Sequence, residues 1–470
     1  MKYWNLINGM AVFAAFACAC VVKTPVSDGL VHAAAKAAEV EINAAAFPDK
    51  NFREIVAKQA DTDGDGKLSQ AEIQNTTKLD IQYPHKESHP WYGASLSDLY
   101  DYPDLEHNYD GVTMDLTGLE WFENLERLRI HNAQPLNFPV DRLQKLDILE
   151  ISSMPEMKLD LSGVRNLREV AAAQATFSDI YLDENTQLQH IRLFHVSAPQ
   201  TVLDLTALPN LVSVTVQRSS LAGMELGEKP DLDDLQADCG LAEIDLSGCP
   251  QLERVRLDGN RLKTLDVTRN QRLQYLYLKD NRLVRLDLRR NDSLEVLDIS
   301  GNVFSNINSS VLRAGKNSVL SFLSAGNLSK CTLLDVSHLG SLREVQAPHG
   351  AFTKVKIPKD LAVLDISSSK LAALDAKTLQ APAGAKLTEL HCSTGKLKKI
   401  NANHLKNLTQ IVAGSNKLTN VNISGCLKME TCYLNGNPLK KLTVSKKSGS
   451  RQKKQYQKTI KENGGKLIYK

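Results

Sequence analysis

The stretch Leu252-Glu253-Arg254-Val255-Arg256-Leu257-Asp258-Gly259-Asn260-Arg261-Leu262-Lys263-Thr264-Leu265-Asp266-Val267 decides how this chain folds. It reads L-x-x-L-x-L-x-x-N-x-L-x-x-L-D-L, two nested half-units ten and eleven residues long. Within each half-unit the last two apolar residues alternate, so each offers a short strand with those side chains on one face. The pattern recurs: Leu252, Leu273 and Leu294 are 21 residues apart, as are Asn260, Asn281 and Asn302. Equivalent first positions run Leu125, Leu146, Leu167, Leu188, Leu211, Leu232, Leu252, Leu273, Leu294, Val319, Leu342, Leu361, Leu387, Leu408 and Met429, about fifteen coils. One coil cannot close a core alone, but stacked coils bury their Leu columns against one another. The Asn column is expected to satisfy backbone groups at the turns with its side-chain amides. The Asp column Asp160, Asp204, Asp245, Asp266 and Asp287 is expected to serve the repeat itself, with Lys158, Arg285 and Arg289 as charge partners. The fold class expected is α+β: a right-handed solenoid over residues 114–447, with short parallel strands and few long helices.

The chain has 470 residues, 42% of them hydrophobic, which excludes wholesale disorder. A net charge of +3 argues against a binder of nucleic acid defined by gross charge. Lys2 and the apolar run Met10–Val22, ended by Lys23, read as a secretory signal over 1–33, with a linker over 34–46. Thirteen residues rise only about 20 Å as a helix, so a membrane span in the mature chain is not expected. Small residues around His32 suit cleavage; lipoprotein processing at Cys18 or Cys20 is the alternative. No wall-sorting motif is visible. The remaining cysteines, Cys239, Cys249, Cys331, Cys392, Cys426 and Cys432, lack metal spacing and read as small core hydrophobes.

Residues 61–72 match D-x-D-x-D-G-x5-E at every fixed position. Calcium takes six to eight hard oxygens, and Asp61, Asp63 and Asp65 offer three carboxylates from alternate loop positions. Gly66 permits the sharp turn, the Lys67 carbonyl supplies the seventh position, Ser69 acts through a water, and Glu72 closes the site with two oxygens. Phe52, Ile55 and Val56 before the loop and Ile73 after it have helical spacing, giving a small EF-hand-like cap over 47–76. Ca²⁺ is therefore the expected cofactor, structural in purpose, since a lone loop lacks the partner of a sensor pair.

The nested repeat, with the opening Phe47-Pro48-Asp49-Lys50-Asn51-Phe52 and Asp115-Leu116-Thr117-Gly118-Leu119-Glu120-Trp121-Phe122, resembles secreted internalin-like leucine-rich repeat proteins of Gram-positive bacteria. The resemblance covers about residues 47 to 445. It implies a helical cap on the first coil and a secreted or cell-surface protein that binds other macromolecules, often in adhesion. Wall anchors and extra domains common in that group are not visible in this sequence.

Two regions are candidate ligand surfaces. Residues 77–113 form an aromatic-rich insertion leading into the first coil; Trp91 and Tyr92 are its interface candidates, with capping of the coil as the alternative. His85, His89 and Asp104 form a weaker zinc candidate there. The outward positions beside the L-x-L residues give His190, Arg192 and Phe194, then Arg254 and Arg256, then Tyr275 and Tyr277, a composition of interface anchors and equally of solvated strand positions. The partner expected is an extracellular protein or glycan. Residues 440–470 hold eleven Lys/Arg against one acid, Glu462. This end reads as a basic C-terminal cap over 448–470, a helix from Gln452 to Asn463 and then a strand, with Tyr456 and Ile460 on one helical face. Its charge would also suit an anionic wall polymer, a membrane surface or a heparin-like glycan. No catalytic motif stands out, so an enzyme is not expected; an extracellular enzyme or a wall-associated spacer on the same scaffold is the alternative.

Overall fold

The computed structural model describes residues 39–82, 112–139 and 141–470. The signal segment, Trp91, Tyr92, the other aromatic residues of the insertion and the zinc candidates lie outside the described residues. The chain divides into two compact units, Met1–Pro250 and Gln251–Lys470.

In the first unit seven parallel strands form one row: Lys78–Gln82, Arg127–His131, Ile148–Asp160, Glu169–Tyr181, His190–Phe194, Ser213–Gln217 and Asp234–Ala237. The row begins one coil earlier than the Leu spacing implies. Lys78–Gln82 pairs in register with Arg127–His131, and Thr113–Asp115 pairs with Gln134–Leu136. The insertion therefore interrupts the first coil rather than preceding it. In the second unit nine strands form the row, from Arg254–Arg256 through Tyr275–Tyr277 to Thr431–Tyr433. Each unit is thus a parallel β-solenoid, with sixteen such strands in all among the described residues, against about fifteen coils expected. Val319 is not the buried first position of its coil: it is 46% exposed, while Leu320 beside it is 1% exposed and occupies the Leu column.

Fourteen of the described coils turn out of their strand through one left-handed residue, with φ between 49° and 74°: Asn132, Ser153, Gln174, His195 and Arg218 in the first unit, Gly259, Asp280, Gly301, Asn327, His349, Ser368, Thr394, Ser415 and Gly436 in the second. At Gly301 a Cβ would lie 1.9 Å from Asp280 Oδ1, so any larger residue there requires the Asp280 side chain to move.

The two units differ in the residue that comes directly after this turn. In the second it is often Asn, and the Asn side chains form a buried ladder. Asn281 Nδ2 donates to the Leu257 and Leu278 carbonyls at 2.7 and 3.2 Å, and its Oδ1 accepts from Leu262 N at 3.0 Å. Asn302, Asn416 and Asn437 repeat this from coil to coil. In the first unit the corresponding residues are Ala133, Met154, Ala175 and Val196, whose side chains cannot do so, and Ser219. Ser219 Oγ makes a partial version, accepting Val196 N at 3.0 Å and donating to the Gln217 carbonyl at 2.9 Å. There the chain stays extended. Ile148–Asp160 and Glu169–Tyr181 run on as 13-residue strands, and Ser197–Asp204 pairs with Ser220–Glu225, so a second sheet uses the backbone groups.

The Asp column lies in the second half-unit of each coil, ending strands at Asp160 and Asp204 and standing outside any strand at Asp245 and Asp266. Asp160, Asp204, Asp245 and Asp266 accept the backbone N–H two residues on, from Ser162, Thr206, Ser247 and Thr268. Lys158 and Arg289 pair with Asp160 and Asp287, and Arg313 also reaches Asp287. All six described cysteines are buried, and burial pushes the thiols of Cys249 and Cys331 up to about 11.

Both ends of the described fold carry caps. Helix α1, Lys50–Gln59, starts at Asp49, whose carboxylate accepts Asn51 N and Phe52 N. Phe47, Phe52 and Val56 are fully buried, and Gln59 closes on the edge strand by donating to Asp80 O at 2.6 Å and accepting Asp80 N at 2.9 Å. An edge strand that would otherwise be open to other chains is thereby covered. After the loop, helix α2 spans Gln70–Asn75. In the second unit helix α3, Ser450–Asn463, buries Tyr456 and Thr459, and the strand Lys466–Tyr469 pairs parallel with Lys441–Val444. Ile460 is only partly covered; Thr459 takes the place expected for it.

Candidate functional site

Carboxylate oxygens of Asp61, Asp63 and Asp65 lie within 4.8 Å of one another. The loop builds this convergence itself. Asp61 accepts Gly64 N and Gly66 N, Asp63 accepts Asp65 N, and Asp65 accepts Lys67 N. Gly64 and Gly66 take left-handed φ of 76° and 83°, which turns these amides inward. Lys67–Leu68 forms a two-residue strand that pairs antiparallel with Val40–Glu41, and Leu68 is fully buried. This short strand supplies the pairing that a second loop would otherwise provide.

Glu72 has a different set of neighbours. One oxygen accepts Thr62 N and Oγ1 at 2.6 and 2.8 Å, the other Ser69 N and Oγ at 2.9 and 2.8 Å. Ser69 returns a bond from Glu72 N, completing a capping box on α2. Glu72 therefore ties the two ends of the loop together and is not grouped with the three aspartates. These donors, Ser69 N first, hold its carboxyl down to about 2. Because the folded pKa is depressed, this stabilisation is complete above about pH 4.5 and is lost as pH falls toward 2. Acid titration followed by near-ultraviolet dichroism should show this loss in wild type over that range. Glu72→Gln, which has no carboxylate to titrate, should show a flatter profile; an identical profile would exclude Glu72 as its source.

On the first unit's row, His190, Arg192 and Phe194 are partly exposed. His190 Nδ1 and Ser213 Oγ are 2.8 Å apart, and burial, then Arg192, pushes the imidazole pKa down, favouring the neutral ring. Arg192 is paired with Glu169. Across the sheet Ala171 is in register with Arg192 and Ala173 with Phe194, and both alanines are buried. Nearby, Glu150 is held between Arg127 and Arg129, with burial pushing its carboxyl up against both guanidiniums. The charges on this face are largely matched within the protein.

The second unit's first two coils are arranged differently. Arg254 lies over the Tyr275 ring at 5.5 Å, and Arg256 over Tyr277 at 4.3 Å. The register Arg254↔Tyr275 and Arg256↔Tyr277 places each cation beside its ring on the neighbouring strand. Tyr277 is only 4% exposed, so it offers a ligand little surface and serves chiefly as the platform that holds Arg256. Asp258 accepts Lys279 N at 2.8 Å and pairs with Arg256 at 3.1 Å; burial pushes its carboxyl up to about 6. Asp258 is absent from the sequence-derived candidates, although continuing the alternation two residues past Arg256 reaches it. The result is a face of two Arg–Tyr stacks with a carboxylate fixing one guanidinium, able to hydrogen-bond acceptors and cover flat apolar groups together.

No family model and no curated protein matches the chain. Among solved structures, a leucine-rich repeat protein of Leptospira interrogans aligns at 19% identity over 83% of this chain and 100% of that one, TM-score 0.51. The functional domain of InlJ from Listeria monocytogenes aligns at 19% identity over 87% and 82%, TM-score 0.49. An internalin of L. monocytogenes, InlF, aligns at 15% over 92% and 97%, TM-score 0.34. The Leptospira structure shows the fold: this is a leucine-rich repeat solenoid.

Proposed function

We propose that the chain is a secreted or cell-surface interaction protein of the adhesion type, which holds an extracellular protein or glycan on the outward face of its strand row. The Arg256–Tyr277 stack at 4.3 Å, braced by Asp258, is the observation that carries this reading. A preset guanidinium loses less freedom on binding than a solvated one, and Arg and Tyr are frequent interface hot spots. Arg254 and Tyr275 extend the same contact. In the first unit, His190, Arg192 and Phe194 are a second, more internally paired surface. The likeness of the opening residues and nested repeat to exported bacterial proteins supports export and a Gram-positive source.

Asp61, Asp63 and Asp65, with the Lys67 carbonyl, would hold Ca²⁺ at the cap. The all-oxygen donor set and the left-handed Gly66 fit a hard cation. Ser69 would contribute through a water. Glu72 would join by exchanging hydroxyl donors for the ion. The ion supplies charge neutralisation and rigidity to the loop, with no part in a reaction.

Capture from extracellular-matrix or bacterial-wall fractions on immobilised protein tests the binding claim. Arg256→Ala should lose at least about tenfold in capture, the size of one hot spot, with Tyr275→Ala close behind. Capture equal to wild type by both variants would exclude this face.

A further inference from the structure

Helix α3 carries Arg451, Lys454, Lys458 and Lys461 on its exposed side. Their spacings of three, four and three residues make one stripe about 15 Å long, with a cation every ~5 Å. The opposite side does the packing: Tyr456 and Thr459 are 2% and 4% exposed, and Thr459 Oγ1 donates to the Cys432 carbonyl at 3.3 Å. Capping of the last coil thus needs none of the four cations.

Among the described residues, Lys458–Glu462 at 3.7 Å is the one ion pair that the stripe makes. Lys440, Lys441, Lys446, Lys447 and Lys466 are also exposed without an ion pair among the described residues, so Glu462 leaves most of the region's positive charge unmatched. The placement works against the helix. Arg451, Lys453 and Lys454 sit at its positive end, and its first turn holds no acid. Like charges three and four residues apart add repulsion. An external polyanion would relieve both.

We propose that this stripe binds a linear polyanion with phosphodiester charges along its backbone. Three of the four cations are Lys, point charges that suit phosphate without requiring a planar, bidentate partner. The stripe presents no apolar side chain to insert into a lipid surface. It also has no aromatic ring on which nucleic-acid bases could stack; Tyr469 lies 5.9 Å beneath Lys453 instead. The inference is independent of the strand-row surface, and either can fail alone.

The test uses the full chain and a surface of purified poly(glycerol phosphate). Wild type should bind, and its affinity should fall by about tenfold or more between low and physiological salt, as expected for multiple phosphate contacts. The quadruple variant R451Q/K454Q/K458Q/K461Q should lose at least about tenfold at low salt. A control, K263Q/R269Q/K316Q/K330Q, removes the same charge from other exposed positions of the second unit and should stay within about twofold. Thermal unfolding of the stripe variant at or above the wild-type temperature would show that it is folded. Equal losses in both variants, no wild-type binding, or tighter binding to heparin, single-stranded DNA or phosphatidylserine vesicles would overturn the proposal.

Discussion

Asn281→Ala should lower the unfolding free energy by about 3–5 kcal/mol, far more than most surface substitutions. Its side chain joins neighbouring coils through the Leu257 carbonyl and Leu262 N, and closes its own turn on the Leu278 carbonyl. Asn281 is 4% exposed, so water cannot freely replace these partners. Each buried group left without a partner costs about 1–3 kcal/mol. Asn281→Asp keeps an acceptor for Leu262 N, loses both donors and brings in a charge, so it should also be strongly destabilising. Asn420→Ala is the control: that exposed amide donates only to Thr419 Oγ1, and its loss should cost about 0.5 kcal/mol or less. Urea unfolding of the three variants checks this. A loss at Asn281 no larger than at Asn420 would mean that the ladder is not what binds the coils.

Calcium should stabilise wild type by about 2.7 kcal/mol when present at a hundred times its dissociation constant. With an affinity of roughly 10⁻⁴–10⁻³ M, typical of extracellular modules, that ratio needs about 10–100 mM calcium, and about 1 mM should give roughly 0.4–1.4 kcal/mol. Asp63→Ala separates the metal from the fold. Asp63 is exposed and accepts one loop bond, from Asp65 N, so the calcium-free variant should unfold near wild type yet give no calcium shift. Glu72→Gln should lower stability with and without calcium, because four donors converge on that carboxylate. Calorimetry and thermal melts in calcium and in chelator measure both effects. Neither heat nor a thermal shift in wild type would end the calcium assignment.

The solenoid was legible because its period is carried by many residues at once. The Leu columns, the Asn ladder and the Asp turn caps each recur, so one irregular coil does not hide the rest. At the C-terminal helix the apolar spacing was legible only in part, since Tyr456 is buried but Thr459 is buried in place of Ile460. Misreadings arose where a local feature broke the period. Lys78–Gln82 lacks a neighbouring second strand in sequence, because the insertion separates it from Thr113–Asp115. Val319 stood in for Leu320 because the preceding coil is five residues longer than the repeat. The left-handed turn residue has no constant identity: Gly, Asn, Ser, Gln, His, Arg, Asp and Thr all occupy it.

The candidate face was legible only in part. Alternation placed Arg254, Arg256, Tyr275 and Tyr277 on the outward side, but it says nothing about what lies sideways. Tyr277 is buried with Arg256 stacked on it from the adjacent strand, and Asp258 is partly covered beside the same guanidinium. At the cap, the motif located the three aspartates, whereas the four donors that engage Glu72 depend on how α2 starts.

Hydrogen exchange of the full chain, with and without its captured partner, tests the proposed binding face most directly. Added protection should centre on Arg254–Arg256 and Tyr275–Tyr277, and Arg256→Ala should abolish it while leaving exchange in the free protein unchanged. Protection that leaves those two strands untouched, or that persists in Arg256→Ala, would contradict the strand-row account.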